Sequence, residues 1–328
     1  MCCEELLMMN DLISRRSLLA VSAAGLGTAL LARHGASAAA STQSSVGTQP
    51  FKYSLNTSTI RGQKLGLEKE IDVAAKAGYQ AIEIWVSTLQ EYVKAGGKPA
   101  DARKRIEDRG LTLENAISFS RWVVDDDTAR AEAIEQIKRE MDLLAQAGGK
   151  RIAAPPVGAT DKPGLDLAKA AERYRAILDL GDKTGVMPIL ELWGGSKNLH
   201  RISQCMFVVI ESGHPKACML GDVFHIYKGG SDFAGLRMIS PAAMPILHMN
   251  DYPAEPPRDK ITDRDRVMPG DGIAPLTQIL RDLRDNGSHP VLSLELFSPA
   301  YWEKDALEVA TTGLAKMKAA VDKALLAA

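Results

Sequence analysis

Short apolar runs alternate along most of the chain with longer segments in which apolar side chains return every third or fourth position. Runs without internal periodicity, such as 186–192 and 290–297, read as strands buried on both faces, and the three-to-four-residue period reads as amphipathic helix. In 128–147, Ile134, Ile137, Met141, Leu144 and Ala145 share one face, while Glu132, Glu135, Lys138 and Arg139 lie away from it. Asp125, Asp126, Asp127 and Thr128 offer capping oxygens at its start, and Gly148 and Gly149 close it. Gly78, Gly110, Gly185 and Gly287 stand shortly before later strands, where a left-handed residue ends a helix at least steric expense.

In chain order the pattern predicts eight strand–helix pairs: 51–57 with 67–77, 81–86 with 99–109, 111–118 with 128–147 and 151–155 with 166–184, then 186–192 with 199–212, 217–222 with 233–238, 246–250 with 273–286 and 290–297 with 305–326. Eight such units in one composition predict an α/β fold, a (β/α)8 TIM barrel forming a single domain over 51–328. An open doubly wound sheet is the alternative. It would carry a glycine-rich phosphate loop after its first strand, and Asn56-Thr-Ser-Thr-Ile-Arg-Gly62 is not one.

The N-terminal residues 1–40 read separately, as an export signal. Arg15 and Arg16 stand just before Leu18 and Leu19, a weakly apolar Ala/Gly/Leu stretch follows, and Ala36-Ser37-Ala38 forms a cleavage site. The paired arginines resemble a twin-arginine (Tat) signal, which implies the Tat export machinery as a partner, a folded and cofactor-loaded cargo, and a periplasmic or secreted location. Arg33 and His34 interrupt the stretch, which leaves it short of the roughly 20 residues of a membrane span, so no stable membrane anchor is expected. Residues 41–50, rich in Ser, Thr and Gln, read as a linker. Cys2 and Cys3 would leave with the signal, while Cys205 and Cys218 are open to a bridge or to two buried thiols.

Charge narrows the choice of ligand. Forty basic against 41 acidic residues leave a net charge of −1, no footprint for nucleic acid or an anionic membrane, and a small neutral molecule as the better partner. A homo-oligomer is left open.

Four of the apolar runs end alike. Met187-Pro-Ile-Leu leads to Glu191, Met219-Leu-Gly to Asp222, Ile246-Leu to His248 and Val291-Leu-Ser-Leu to Glu295. The intervals between them are too long for one helix or hairpin, so the four meet only if their strands lie side by side. In a barrel they would crown strands five to eight at the C-terminal face, where active sites sit. Each taken alone has a structural explanation: Asp222 capping a helix, His248 as an interior histidine, either glutamate paired with an arginine. Converging together, they call for a cation. Three carboxylates and one imidazole suit Mn²⁺ or Mg²⁺, with Co²⁺ or Zn²⁺ as alternatives.

With these residues in view the chain resembles, over roughly 51–326, the sugar phosphate isomerase/epimerase family, the xylose-isomerase-like TIM barrels that include the ketose 3-epimerases. Glu191, Gly221-Asp222-Val-Phe-His225, Leu247-His248-Met-Asn-Asp251 and Leu294-Glu295-Leu-Phe carry the resemblance. It implies one divalent metal, manganese first, on Glu191, Asp222, His248 and Glu295. It implies Glu191 and Glu295 as the acid/base pair of an isomerase or epimerase working on a sugar or keto-sugar through an enediolate. His225 would contact substrate hydroxyls and Arg258 would anchor substrate. Glu83 matches a common family position and reads as a residue standing behind the metal ligands, grouped with the substrate-binding set, or equally as an interior polar residue. Trp193, with Gly194 and Gly195, stands where relatives acting on free ketoses often carry a histidine, and so becomes a substrate-side candidate.

A keto-sugar or inosose dehydratase or lyase would use the same chemistry, and a non-catalytic periplasmic sugar-binding protein would keep only the pocket. An endonuclease IV role is rejected, since that barrel gathers several zinc ions on a histidine-rich set and this chain has six histidines and no basic face. Residues 251–272, proline-rich and charged, read as a lid or mobile segment, with Arg258, Lys260, Arg264 and Arg266 as candidate substrate or lid contacts, or as a solvated surface excursion. Trp85, Trp122, Trp193 and Trp302 fall near strand ends, suited to stacking on sugars or to packing beneath loops.

Overall fold

The computed structural model describes residues 50–326 and closes eight parallel strands, in sequence order, into one barrel. The strands are β1 (Lys52–Asn56), β2 (Ala81–Trp85), β3 (Thr112–Ile117), β4 (Arg151–Ala154), β5 (Met187–Glu191), β6 (Met219–Asp222), β7 (Ile246–His248) and β8 (Val291–Leu294). Between them run α1 (Leu67–Ala77), α2 (Val86–Lys94), α3 (Pro99–Asp108), α4 (Asp127–Gln146), α5 (Leu167–Thr184), α6 (Ile202–Glu211), α7 (Val223–Gly229) and α8 (Leu276–Asp285); α9 (Pro299–Trp302) and α10 (Ala306–Leu326) end the chain. The export-signal reading of 1–40, and all but the last residue of the 41–50 linker, lie outside the described residues. No described helix is long and apolar enough to cross a membrane.

Helices cover the outside of the sheet and side chains fill the inside, so strands lose water on both faces. All five residues of β2 are buried, which is why such runs lack alternation. Tyr174 shows how the layers lock: its hydroxyl, carried by α5, donates to Cys218 O at 2.7 Å and accepts from Leu190 N at 3.2 Å. Cys205 and Cys218 are both buried free thiols, which resolves the open question of a bridge.

Two connections differ from expectation. Residues 86–94 form α2 directly out of β2; Val86 and Leu89 are its only buried residues, too few for a visible period. After β6 a helix was expected only at 233–238, where a 3-10 segment, Phe233–Met238, is found, preceded by α7. Asp222 ends β6 and also caps α7, its Oδ1 accepting from His225 N at 2.8 Å. Strand and helix thus follow without a turn, so no break in the sequence marks where α7 begins.

At the N-terminal end of the barrel Glu114 is buried among Lys52 (2.8 Å), Lys150 (2.8 Å) and Arg151 (3.2 Å). Burial raises its pKa, but hydrogen bonds from Lys150 and Lys52 outweigh this and hold it at about 2, below the ordinary 4.5. The stabilisation is therefore present above the unfolded value and lost as pH falls toward 2. Glu114→Gln is expected to destabilise by about 1–2 kcal/mol at pH 7, after allowing for solvent screening of its partly exposed partners, with the difference closing toward pH 2. Urea melts at pH 7 and pH 3 check this; equal stabilities at pH 7 would refute it.

Candidate active site

Glu191, Asp222 and His248 are the last residues of β5, β6 and β7, and Glu295 follows the last residue of β8. The barrel brings all four to one end. Ligand atoms of Glu191, His248 and Glu295, all buried, lie within 4.8 Å of one another. His248 Nδ1 is 2.9 Å from Glu295 Oε2 and 3.4 Å from Asp222 Oδ2.

Behind His248 stands Glu83, fully buried, its Oε2 3.0 Å from His248 Nε2. The register of β2 against β3 slips between Ile82 and Glu83, pairing Glu83 with Asn115 and skipping Glu114. A bulge of this kind re-aims a side chain. The same Glu83 oxygen accepts from Ser293 Oγ at 2.6 Å and from Asn56 Nδ2 at 3.2 Å, and Asn56 Nδ2 also reaches Glu295 Oε1 at 3.0 Å. With Nε2 engaged by Glu83, the ring is oriented with Nδ1 toward the other carboxylates. Glu83 is thus a positioning residue rather than part of the cavity lining.

Arg266, fully buried, is the basic residue that reaches the cluster. Its Nη1 donates to Asp222 Oδ2 and to Glu295 Oε2, both at 2.9 Å, while Nη2 donates to His225 Nε2 at 3.1 Å and to Asp263. The guanidinium lies over the rings of Phe224 at 4.7 Å and Phe297 at 5.2 Å. Arg258 lies elsewhere: it is exposed, beside Gly230, does not line the cavity, and its carbonyl accepts from Lys228 Nζ.

The difference comes from how 251–272 is pinned. Buried Asp251 exchanges backbone hydrogen bonds with Val267 at 3.0 Å, and its carboxylate accepts from the amides of Gly270, Gly272 and Ala274 at 2.8–3.1 Å. A Cβ at Gly272 would stand 2.2 Å from Tyr252 O, so only glycine lets the strap close. The expected lid is a tied loop that delivers Arg266 inward and leaves Arg258 outside.

Electrostatics agree with a cation site. Burial, then the charge of Glu295, pushes Glu191 up to about 8. Burial opposes the charged form of His248, yet Glu295 and Glu83 raise it well above its ordinary value. His225 is held down by burial and by Arg266, a neutral ring accepting at Nε2. Glu191 Oε2 is buried without a hydrogen bond, and His248 Nδ1, though 2.9 Å from Glu295 Oε2, makes no well-aligned one. Orphaned polar atoms are costly in a protein interior. Two members of one cluster share the defect, and their donor set of carboxylates and imidazole fits a divalent metal, with Asp222 as a further oxygen ligand.

Above the cluster opens a cavity of about 360 Å³, lined among others by Glu191, His225, Glu295, Trp193 and Phe119. A larger hollow of about 500 Å³ beside α8 and α10 contains none of the cluster. Gly194 explains part of the Trp193-Gly-Gly sequence: a Cβ there would lie 2.3 Å from His225 O, so glycine lets the end of β5 approach α7. Asn56 and Asn250 were not singled out as site residues from sequence, and Arg266 stood only as one of four basic residues of the loop, behind Arg258. Asn56 ends β1 and carried the same strand-end signal as the quartet. Asn250 donates to Asp222 Oδ2 at 3.1 Å and lies two positions past His248, but nothing in the sequence ranked Arg266 above the other basic residues of its loop.

Comparison with known proteins adds relatives to this geometry. The profile of the family described as Xylose isomerase-like TIM barrel matches residues 71–319. An inosose isomerase of Bacillus velezensis is 27% identical over 78% of this chain and 92% of its own. A fructoselysine 3-epimerase of Escherichia coli O157:H7 is 25% identical over 76% of this chain and 94% of its own. Among solved structures, an IOLI protein with a bound zinc atom superposes with a TM-score of 0.76 at 24% identity, over 84% of this chain and 99% of that one.

Proposed function

We propose, from the premise that the chain belongs to the xylose isomerase-like TIM barrel family, that it is a sugar isomerase or epimerase acting on a keto-sugar through an enediolate. The observation that carries this reading is the buried group of Glu191, His248 and Glu295, its ligand atoms within 4.8 Å of one another at the floor of a cavity. Relatives named inosose isomerase and fructoselysine 3-epimerase support the same class of reaction.

Glu191, Asp222, His248 and Glu295 would hold one divalent ion; the oxygen-rich set favours manganese, and zinc, present in a solved relative, is the alternative. Bound there, the ion would supply a Lewis acid that makes a C–H beside a carbonyl easier to ionise. The protein's own groups move the proton. One of Glu191 and Glu295 removes it from carbon, and the other returns it to the opposite face of the planar intermediate, inverting that carbon. His225 binds a substrate hydroxyl, Arg266 steadies developing negative charge, and Glu83 keeps the His248 ring in place.

The test is isotope exchange. Mn²⁺-loaded protein in D2O, given a broad panel of keto-sugars and inososes, is expected to place deuterium on the carbon next to the carbonyl of at least one, seen by NMR. No incorporation across the panel would sink the enolisation reading, whereas loss of water from the substrate would redirect it to a dehydratase.

We also propose export of the folded chain by the twin-arginine route, supported by Arg15-Arg16 ahead of a weakly apolar stretch. A reporter fused to residues 1–40 should reach the periplasm and stay behind after Arg15→Lys/Arg16→Lys; export that ignores the pair would contradict it.

A further inference from the structure

We propose that the substrate carries a planar apolar group attached to its sugar, an aromatic aglycone, seated on a wall of aromatic rings beside the Glu191 cluster. The sugar half of this inference rests on the isomerase reading above; the wall rests on geometry of its own. Five residues lining the cavity are aromatic: Trp85, Phe119, Trp193, Phe297 and Trp302. Four of them form a continuous belt, with centroids 6.3 Å apart from Phe297 to Trp85, 5.2 Å from Trp85 to Phe119, and 6.1 Å from Phe119 to Trp193. The belt draws on residues at the ends of β8, β2, β3 and β5, and so spans much of the barrel mouth.

A free monosaccharide fits such a wall poorly. It carries hydroxyls around its ring, and each one taken from water needs a partner. Across the four rings the one buried polar atom left without a partner is Trp85 Nε1, a single donor. Polar partners lie at the floor, in Glu191, Glu295 and His225, beside Trp193 in Ser196 and Thr160, and in Asp263 and Arg264 of the loop after β7. Stacking one sugar face takes one ring, whereas four joined rings make a broader surface than a sugar face covers. Phe119 is 42% exposed, an apolar ring held in water by a rigid barrel, and that area is recovered only when an apolar partner covers it. The cavity divides the ligand accordingly: hydroxyls and the reacting carbon over the floor and polar rim, a flat apolar ring along the belt. Its volume, about 360 Å³, lies in the range that holds two-part, drug-sized ligands.

Calorimetry on the Mn²⁺-loaded full chain tests this with three probes, methyl β-D-glucopyranoside, phenyl β-D-glucopyranoside and cellobiose. The phenyl glycoside is expected to bind at least tenfold more tightly than the methyl glycoside, about 1.4 kcal/mol, and cellobiose is expected to match the methyl glycoside. In Phe119→Ala, a change at a half-exposed position that leaves the core intact, the phenyl-to-methyl ratio should fall below threefold. The inference is overturned if phenyl and methyl glycosides bind equally or neither binds, if cellobiose equals the phenyl glycoside, or if Phe119→Ala leaves the ratio unmoved. Isotope exchange fails or succeeds separately: absent exchange with an intact phenyl preference removes the chemistry and keeps the subsite.

Discussion

Glu191→Gln is expected to reduce isotope exchange and turnover by at least 10²-fold and toward 10⁴-fold, the range associated with loss of a general acid or base. Gln keeps the shape of the side chain and one carbonyl oxygen, so the barrel should fold as before; circular dichroism and the melting temperature check this. The substitution removes the carboxylate that burial and Glu295 already push up to about 8, so no loss of fold stability accompanies the loss of activity. Metal affinity should fall as well, measured by competition with a chelating dye. Glu83→Gln, acting through His248 at 3.0 Å, is expected to lower metal affinity or activity by about 10–100-fold. Arg258→Ala, at an exposed position outside the cavity, should stay within a few-fold of the parent. A Glu191→Gln variant retaining more than a tenth of the exchange rate would remove Glu191 from the reaction.

Arg266→Ala carries the other large effect, and on stability as much as on activity. The guanidinium is fully buried against Asp222 and Glu295 at 2.9 Å and against His225 at 3.1 Å. Removing one member of a buried charged set leaves the others uncompensated, at a typical penalty of about 3–5 kcal/mol. In a barrel of this size that corresponds to a melting temperature lower by roughly 6–15 °C. A divalent cation binding the same carboxylates should return part of the lost stability, so Mn²⁺ is expected to raise the melting temperature of the variant more than that of the parent. Activity should fall with it, and Arg266→Lys should restore stability more than turnover, because an ammonium supplies the charge without the fork that spans Asp222, Glu295 and His225. An Arg266→Ala protein melting within 2 or 3 °C of the parent, roughly 1 kcal/mol, would show that this contact does not neutralise the cluster.

Legibility differed from residue to residue for physical reasons. The barrel was readable because every strand is buried on both faces: an apolar run between two amphipathic helices has few other places to go. The four polar residues at the strand ends were readable for a related reason, since a lone carboxylate or imidazole at the end of such a run stands out against it. Asp222 satisfies two readings at once, capping α7 through Oδ1 while Oδ2 joins the cluster. That cap also places His225 in the first turn of α7, which is why Asp-x-x-His was informative.

Local sequence alone thus determined the order of the eight strands, most of the helices between them, the barrel, and the four polar residues at the ends of β5 to β8, because periodicity and burial are written into neighbouring residues. Tertiary structure decided the rest. Glu83 takes its place behind His248 through a register slip between two strands. Arg266 rather than Arg258 enters the site because Asp251 ties down amides about twenty positions further along the loop. The aromatic belt unites residues from four separate strand ends. These are contacts between groups distant in sequence, held in a loop without periodicity or in a closed sheet, and their partners become identifiable only once the barrel has closed.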